Sequence, residues 1–108
     1  MALDMFGLNT SGAFTKTPGA GITGPWIDVR STVGKVYPYR ITAYGGFSGD
    51  VVTIQRIDGD NSVTANIITV ATLNSGDEVV VDAPTDWIRA VTGASLSGTA
   101  QVLLAQTA

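Results

Sequence analysis

Val51-Val52-Thr53-Ile54-Gln55-Arg56-Ile57, then Asp58-Gly59-Asp60-Asn61, then a second apolar run ending at Leu73, is the stretch from which the fold is read. Apolar and polar residues alternate with period two from Val52 to Gln55, the signature of a half-buried strand. The Asp/Gly/Asn cluster after it is turn chemistry: glycine supplies positive φ, and Asp or Asn bonds its own backbone. No 3.6-residue periodicity separates this strand from the next, so the connection is a hairpin type and the pairing antiparallel.

The same pattern repeats outward in both directions. Candidate strands are Trp26–Ser31, Val36–Tyr44, Val51–Ile57, Thr64–Leu73, Glu78–Asp82, Trp87–Thr92 and Thr99–Ala105, rich in Val, Ile, Thr, Tyr and Trp. Turn residues stand between them, among them Gly45-Gly46, Asn74-Ser75-Gly76-Asp77, Ala83-Pro84-Thr85-Asp86 and Ser97-Gly98. About seven evenly spaced strands with no intervening helix predict an all-β domain, a single antiparallel β-sandwich or jelly roll over residues 26–108. Alternation assigns Ile27, Val29, Ile41, Ala43, Val52, Ile54, Ala100, Val102 and Leu104 to its core. Trp87 and Ile88 must face opposite ways. The run Ile67-Ile68-Thr69-Val70-Ala71 is apolar on both faces, which predicts a strand covered on both sides, with a neighbouring subunit as one cover.

Residues 1–25 follow no sustained period. Five glycines and two prolines share this stretch with Leu3, Met5, Phe6, Leu8 and Phe14. It is read as an extended N-terminal arm whose five apolar side chains are anchors for a partner.

Composition narrows the function. The chain has 108 residues, net charge −3, no cysteine and no histidine. Disulfides and thiolate chemistry are excluded, and the commonest general base and metal ligand is missing. The six basic residues are scattered, which argues against nucleic acid as a partner. No run approaches the roughly 20 apolar residues of a membrane span, and Met1-Ala2-Leu3-Asp4 lacks the basic start of a cleaved leader.

Motifs that suggest chemistry lack their context. Gly19-Ala20-Gly21-Ile22-Thr23-Gly24 matches the dinucleotide fingerprint in spelling, but no strand precedes it and Pro25 and a strand follow. Asp58-Gly59-Asp60-Asn61-Ser62 resembles the opening of a calcium loop, yet the twelfth position is Thr69 where a bidentate Glu belongs; a tight turn is the reading adopted. Asp77, Glu78, Asp82, Asp28 and Asp50 form no pair that the sequence places across a cleft. No cofactor, no metal and no catalytic residue is therefore assigned. Trp26, Tyr39 and Trp87 are candidate interface aromatics, and a sugar-stacking platform built from Trp26, Tyr37, Tyr39, Tyr44, Phe47 and Trp87 is the alternative use of the aromatics.

Three segments carry a more specific pattern. Ser48-Gly49-Asp50-Val51-Val52-Thr53-Ile54-Gln55-Arg56 is followed by Ala83-Pro84-Thr85-Asp86-Trp87-Ile88-Arg89-Ala90-Val91-Thr92-Gly93, and then by Ser97-Gly98-Thr99-Ala100-Gln101-Val102. Their order resembles the small β-sandwich decoration, or cement, proteins encoded in the structural modules of tailed bacteriophages, over about residues 26–105. The resemblance implies a capsid-surface protein of the virion, made in the host cytoplasm. It implies the major capsid protein as partner, a homo-oligomer (dimer or trimer), and no enzyme activity. A tail or baseplate component and a carbohydrate-binding β-sandwich module are the alternatives.

Overall fold

The structure, a computed structural model, describes residues 2–6, 20–29, 39–81 and 86–106. Its strands are β1 (Ala2–Asp4), β2 (Ile27–Asp28), β3 (Tyr39–Tyr44), β4 (Val52–Ile57), β5 (Ile68–Leu73), β6 (Glu78–Val81), β7 (Trp87–Thr92) and β8 (Gln101–Gln106), with one 3₁₀ turn at Thr64–Asn66. They form two four-stranded antiparallel sheets, ordered β1-β8-β3-β6 and β2-β7-β4-β5. First pairs with last, second with seventh, third with sixth and fourth with fifth. That nesting is a jelly roll: one long hairpin rolled so that successive pairs fall alternately in the two sheets.

Register explains the core. Ile27 lies opposite Ile88, Ile54 opposite Ala90, Ile41 opposite Leu104 and Ala43 opposite Val102. The period-two pleat turns all of these to the same inner faces. The nine core residues expected from alternation are each no more than 1% exposed. Met5, Phe47, Leu73, Val81, Ile88, Ala90 and Leu96 complete the cluster. Each large aliphatic chain buried this fully contributes about 1.5–3 kcal/mol of transfer free energy.

In the single chain β5 is an edge strand, with Ile68 48% exposed and Val70 and Ala71 half buried, so the chain itself does not supply the second cover expected for the run before Leu73. Its register slips by one residue, Ile54 facing Ala71 and Gln55 facing Thr69, so Val70 is a bulge. Described residues before position 25 pack on the sandwich. β1 pairs with β8, the Met5 N–H donates to the Val102 carbonyl (3.0 Å), and Met5 is completely buried. The chain then returns along the outer side of β7, with Gly21, Thr92 and Gly24 amides bonded to the Gly93, Ile22 and Ala90 carbonyls.

Candidate interaction surfaces

The acidic residues singled out in the sequence serve as loop fasteners. Asp60 accepts both the Ser62 hydroxyl (2.7 Å) and the Ser62 N–H (2.9 Å), and these two bonds hold its pKa below the ordinary aspartate value. Asp58 accepts Arg56 (2.7 Å) and the Asp86 N–H (3.1 Å), while the Asp86 carboxylate accepts the Gly59 N–H (2.8 Å). The Trp87 indole donates to the Gly59 carbonyl (2.9 Å), so the end of β4 is tied to the start of β7. This network uses the turn residues that had suggested a calcium loop. Among the described residues no group of three or more His, Cys, Asp or Glu could hold a metal ion. Asp28 and Asp50 sit at opposite ends of the β4–β7 pair, one beside Trp87 and the other beside Ser95. Asp82 lies outside the described residues.

The glycines of the dinucleotide-like motif have a packing reason. A Cβ on Gly24 would stand 2.9 Å from the Ala90 carbonyl oxygen and 3.1 Å from both the Met5 carbonyl oxygen and the Phe6 ring. Only glycine lets the returning chain approach β7 and the end of β1 this closely. Gly19 falls outside the described residues.

The outer face of the β2-β7-β4-β5 sheet carries both tryptophans. Trp26 precedes β2 opposite Arg89, whose guanidinium lies 4.3 Å from the centre of its ring. The Arg89 Nε also donates to Gln55 Oε1 (2.8 Å), continuing the row across β4. Trp87 lies opposite Ile57, which is fully buried on this side, outside the main core. Tyr39 belongs to the other sheet, paired through its backbone with Val81 and Gln106. The three candidate aromatics therefore do not form one platform. The Trp26 face under Arg89 is taken by that cation, a contact worth about 0.5–1 kcal/mol when exposed.

The outer face of the β1-β8-β3-β6 sheet is less occupied. Thr42 lies opposite Leu103 and Glu78, Arg40 opposite Ala105 and Val80, and Tyr44 opposite Gln101. Tyr44 is 46% exposed and Val80 52%, with Leu103 and Ala105 half buried on β8, across β3 from Val80. The polar groups on this face are close together: Arg40 is 3.7 Å from Glu78, which also accepts the Thr42 hydroxyl at 3.4 Å. A third apolar feature lies at the β4–β5 end, an open depression of about 360 Å³ lined by Asp58, Ala65, Asn66, Ile67 and Ile68.

Of the five arm anchors, Leu3 lies in β1 opposite Leu104, Met5 is a core residue, and Phe6 is half buried against that core. Leu8 and Phe14 lie outside the described residues. Met5 is thus engaged within its own chain and does not offer itself to a partner. The i, i+2 spacing of Leu3 and Met5 was a strand signal that could have been read. Tyr44 stood among the aromatics offered for a sugar-stacking platform, while Val80 was missed; an outward position in a strand carries no mark of its own, and only the register brings the two to one face.

The described residues define a jelly roll of eight strands with apolar residues exposed on one sheet face. Compared with known proteins, the chain matches no family model, no curated protein and no solved structure.

Proposed function

We propose that this jelly roll is a non-catalytic decoration protein of a tailed-phage capsid, seated on the outside of the lattice and stabilising it. The observation that carries the reading is the exposed face holding Tyr44, Leu103 and Val80 around one ion pair, a composition suited to another protein surface. The three segments of the phage resemblance also meet in the fold. Ser48 and Ser97 exchange backbone hydrogen bonds of 3.1 and 2.7 Å, and β4 pairs with β7 along six residues. They form the frame behind both faces. Jelly rolls occur in viral capsid and lectin domains, and this fold-level analogy points the same way. The partner is the major capsid protein, and lattice symmetry would present the chain as a homo-oligomer.

Mixing the purified chain with undecorated capsids and sedimenting the particles tests this. Co-sedimentation is expected, and Tyr44→Ser with Val80→Ser should weaken it at least ~10-fold with an unchanged melting temperature. Failure of the wild-type chain to co-sediment removes the capsid reading. Binding to tail assemblies instead would move the protein to the tail or baseplate, and glycan binding lost with Trp87→Ala would favour a carbohydrate-binding module.

A further inference from the structure

We propose that β5 is a self-pairing edge, joining antiparallel to β5 of a second copy about a twofold axis so that the two β2-β7-β4-β5 sheets become one. The four sheet edges are β1, β6, β2 and β5. Three of them are blunted in the usual ways, by being short or charged. Among the described residues β1 has three residues and ends in Asp4; β2 has two, includes Asp28 and follows Pro25; β6 begins with the charged Glu78. β5 has six residues, Ile68-Thr69-Val70-Ala71-Thr72-Leu73, with no charge, proline or glycine among them. Among the described residues no segment pairs with its outer side. The bulge at Val70 adds local twist but places no charge on the edge.

The absence of charge is what favours a second copy as the occupant. A twofold pairing sets a strand against itself, so a charge near its middle would meet its like. Here the strand meets only Ile, Thr, Val, Ala and Leu. The twofold also forces antiparallel pairing, which keeps the Asp77 of each copy at opposite ends of the new pair. At the other end Arg56 is already neutralised by Asp58 at 2.7 Å. Ile68, half exposed in the single chain, would be covered by the partner strand. A contact of one strand pair lies at the small end of specific interfaces. The expected dimer is therefore weak, with a dissociation constant on the order of 10–100 µM.

The pairing is independent of the capsid reading, and its test uses the chain alone. Sedimentation equilibrium across that concentration range should show a monomer–dimer transition, with β5 amides gaining hydrogen-exchange protection as the dimer forms. Thr69 and Thr72 are both exposed, and opposite Gln55 and Thr53 they share the outer face. Thr69→Lys with Thr72→Lys in one chain, and Thr69→Glu with Thr72→Glu in another, should each weaken self-association at least ~10-fold. Mixing the two should restore a heterodimer, whatever the pairing register. Val80→Lys, on the other sheet, should leave dimerisation unchanged. A wild-type chain that stays monomeric overturns the proposal. So does a dimer disrupted by Val80→Lys but not by the lysine pair, or one without added β5 protection.

Discussion

Asp50 and Gly93 show how a single carboxylate organises a turn. The two Asp50 oxygens accept the N–H groups of Ser95 (3.1 Å) and Val51 (2.8 Å), and a side chain on Gly93 would collide with the same carboxylate. The bond from Ser95, then that from Val51, holds its pKa below the ordinary aspartate value. A depressed folded-state pKa means that the unfolded chain takes up the proton first as acid is added. The contribution is therefore present above the ordinary aspartate value and is lost as the pH falls through the lower, folded one. Asp50→Asn replaces one acceptor oxygen with an N–H₂ donor facing an N–H. The variant should be less stable near neutrality, and its stability should vary less below about pH 4. Urea midpoints followed from about pH 7 to about pH 2.5 measure both slopes. Parallel slopes for the two proteins would show that Asp50 contributes nothing to acid sensitivity.

At the scale of the element, β1 separates an arm from a strand. A three-residue strand gains little by itself, and its place is secured by the β8 ladder and by Met5 in the core. Met5→Ala removes a fully buried side chain and should cost about 2–5 kcal/mol. A lowered urea midpoint checks this; unchanged stability would return the segment to a free arm. The strands on either side of this question were legible to different degrees. β7 and β8 alternate cleanly because each has one face in the core and one facing outward, β4 does so from Val52 to Gln55, and Val52, Ile54, Val102 and Leu104 stand where period two put them. β1 was not legible because its partner lies about a hundred residues away, where no local pattern announces it. β5 was legible only in part, because apolar residues on both faces mark a covered strand and an unblunted edge equally, and a bulge at Val70 disturbs the alternation that would tell them apart. The contact of Trp26 with Arg89 was likewise hidden, since it exists only once β2 and β7 are in register.

For the whole molecule, the nested pairing decides how the chain must fold. Each sheet draws its strands from nearly the full length: one joins β1 to β8, β3 and β6, the other β2 to β7, β4 and β5. Neither sheet can assemble while the other is open, because consecutive strands from β1 to β4 alternate between them and β8 is held between β1 and β3. The two inner faces share one cluster, so half a sandwich would leave Ile41, Ile54, Ile88 and Leu104 in water. At about 1.5–3 kcal/mol for each such side chain, a half-formed state is too costly to be populated. Unfolding should accordingly be a single cooperative transition, with refolding in the millisecond-to-second range set by distant pairings. The molecule supplies its own pair of probes. Both tryptophans sit on the outer face of the β2-β7-β4-β5 sheet, so their fluorescence follows that sheet. Amide exchange at Ile41 and Leu104, paired in β3 and β8, follows the other. Urea curves from the two probes should coincide in midpoint and in slope. An earlier loss of protection at Leu104 with tryptophan fluorescence unchanged would mean that the sheet holding β1 opens alone, and that the two layers are held together less tightly than their common core implies.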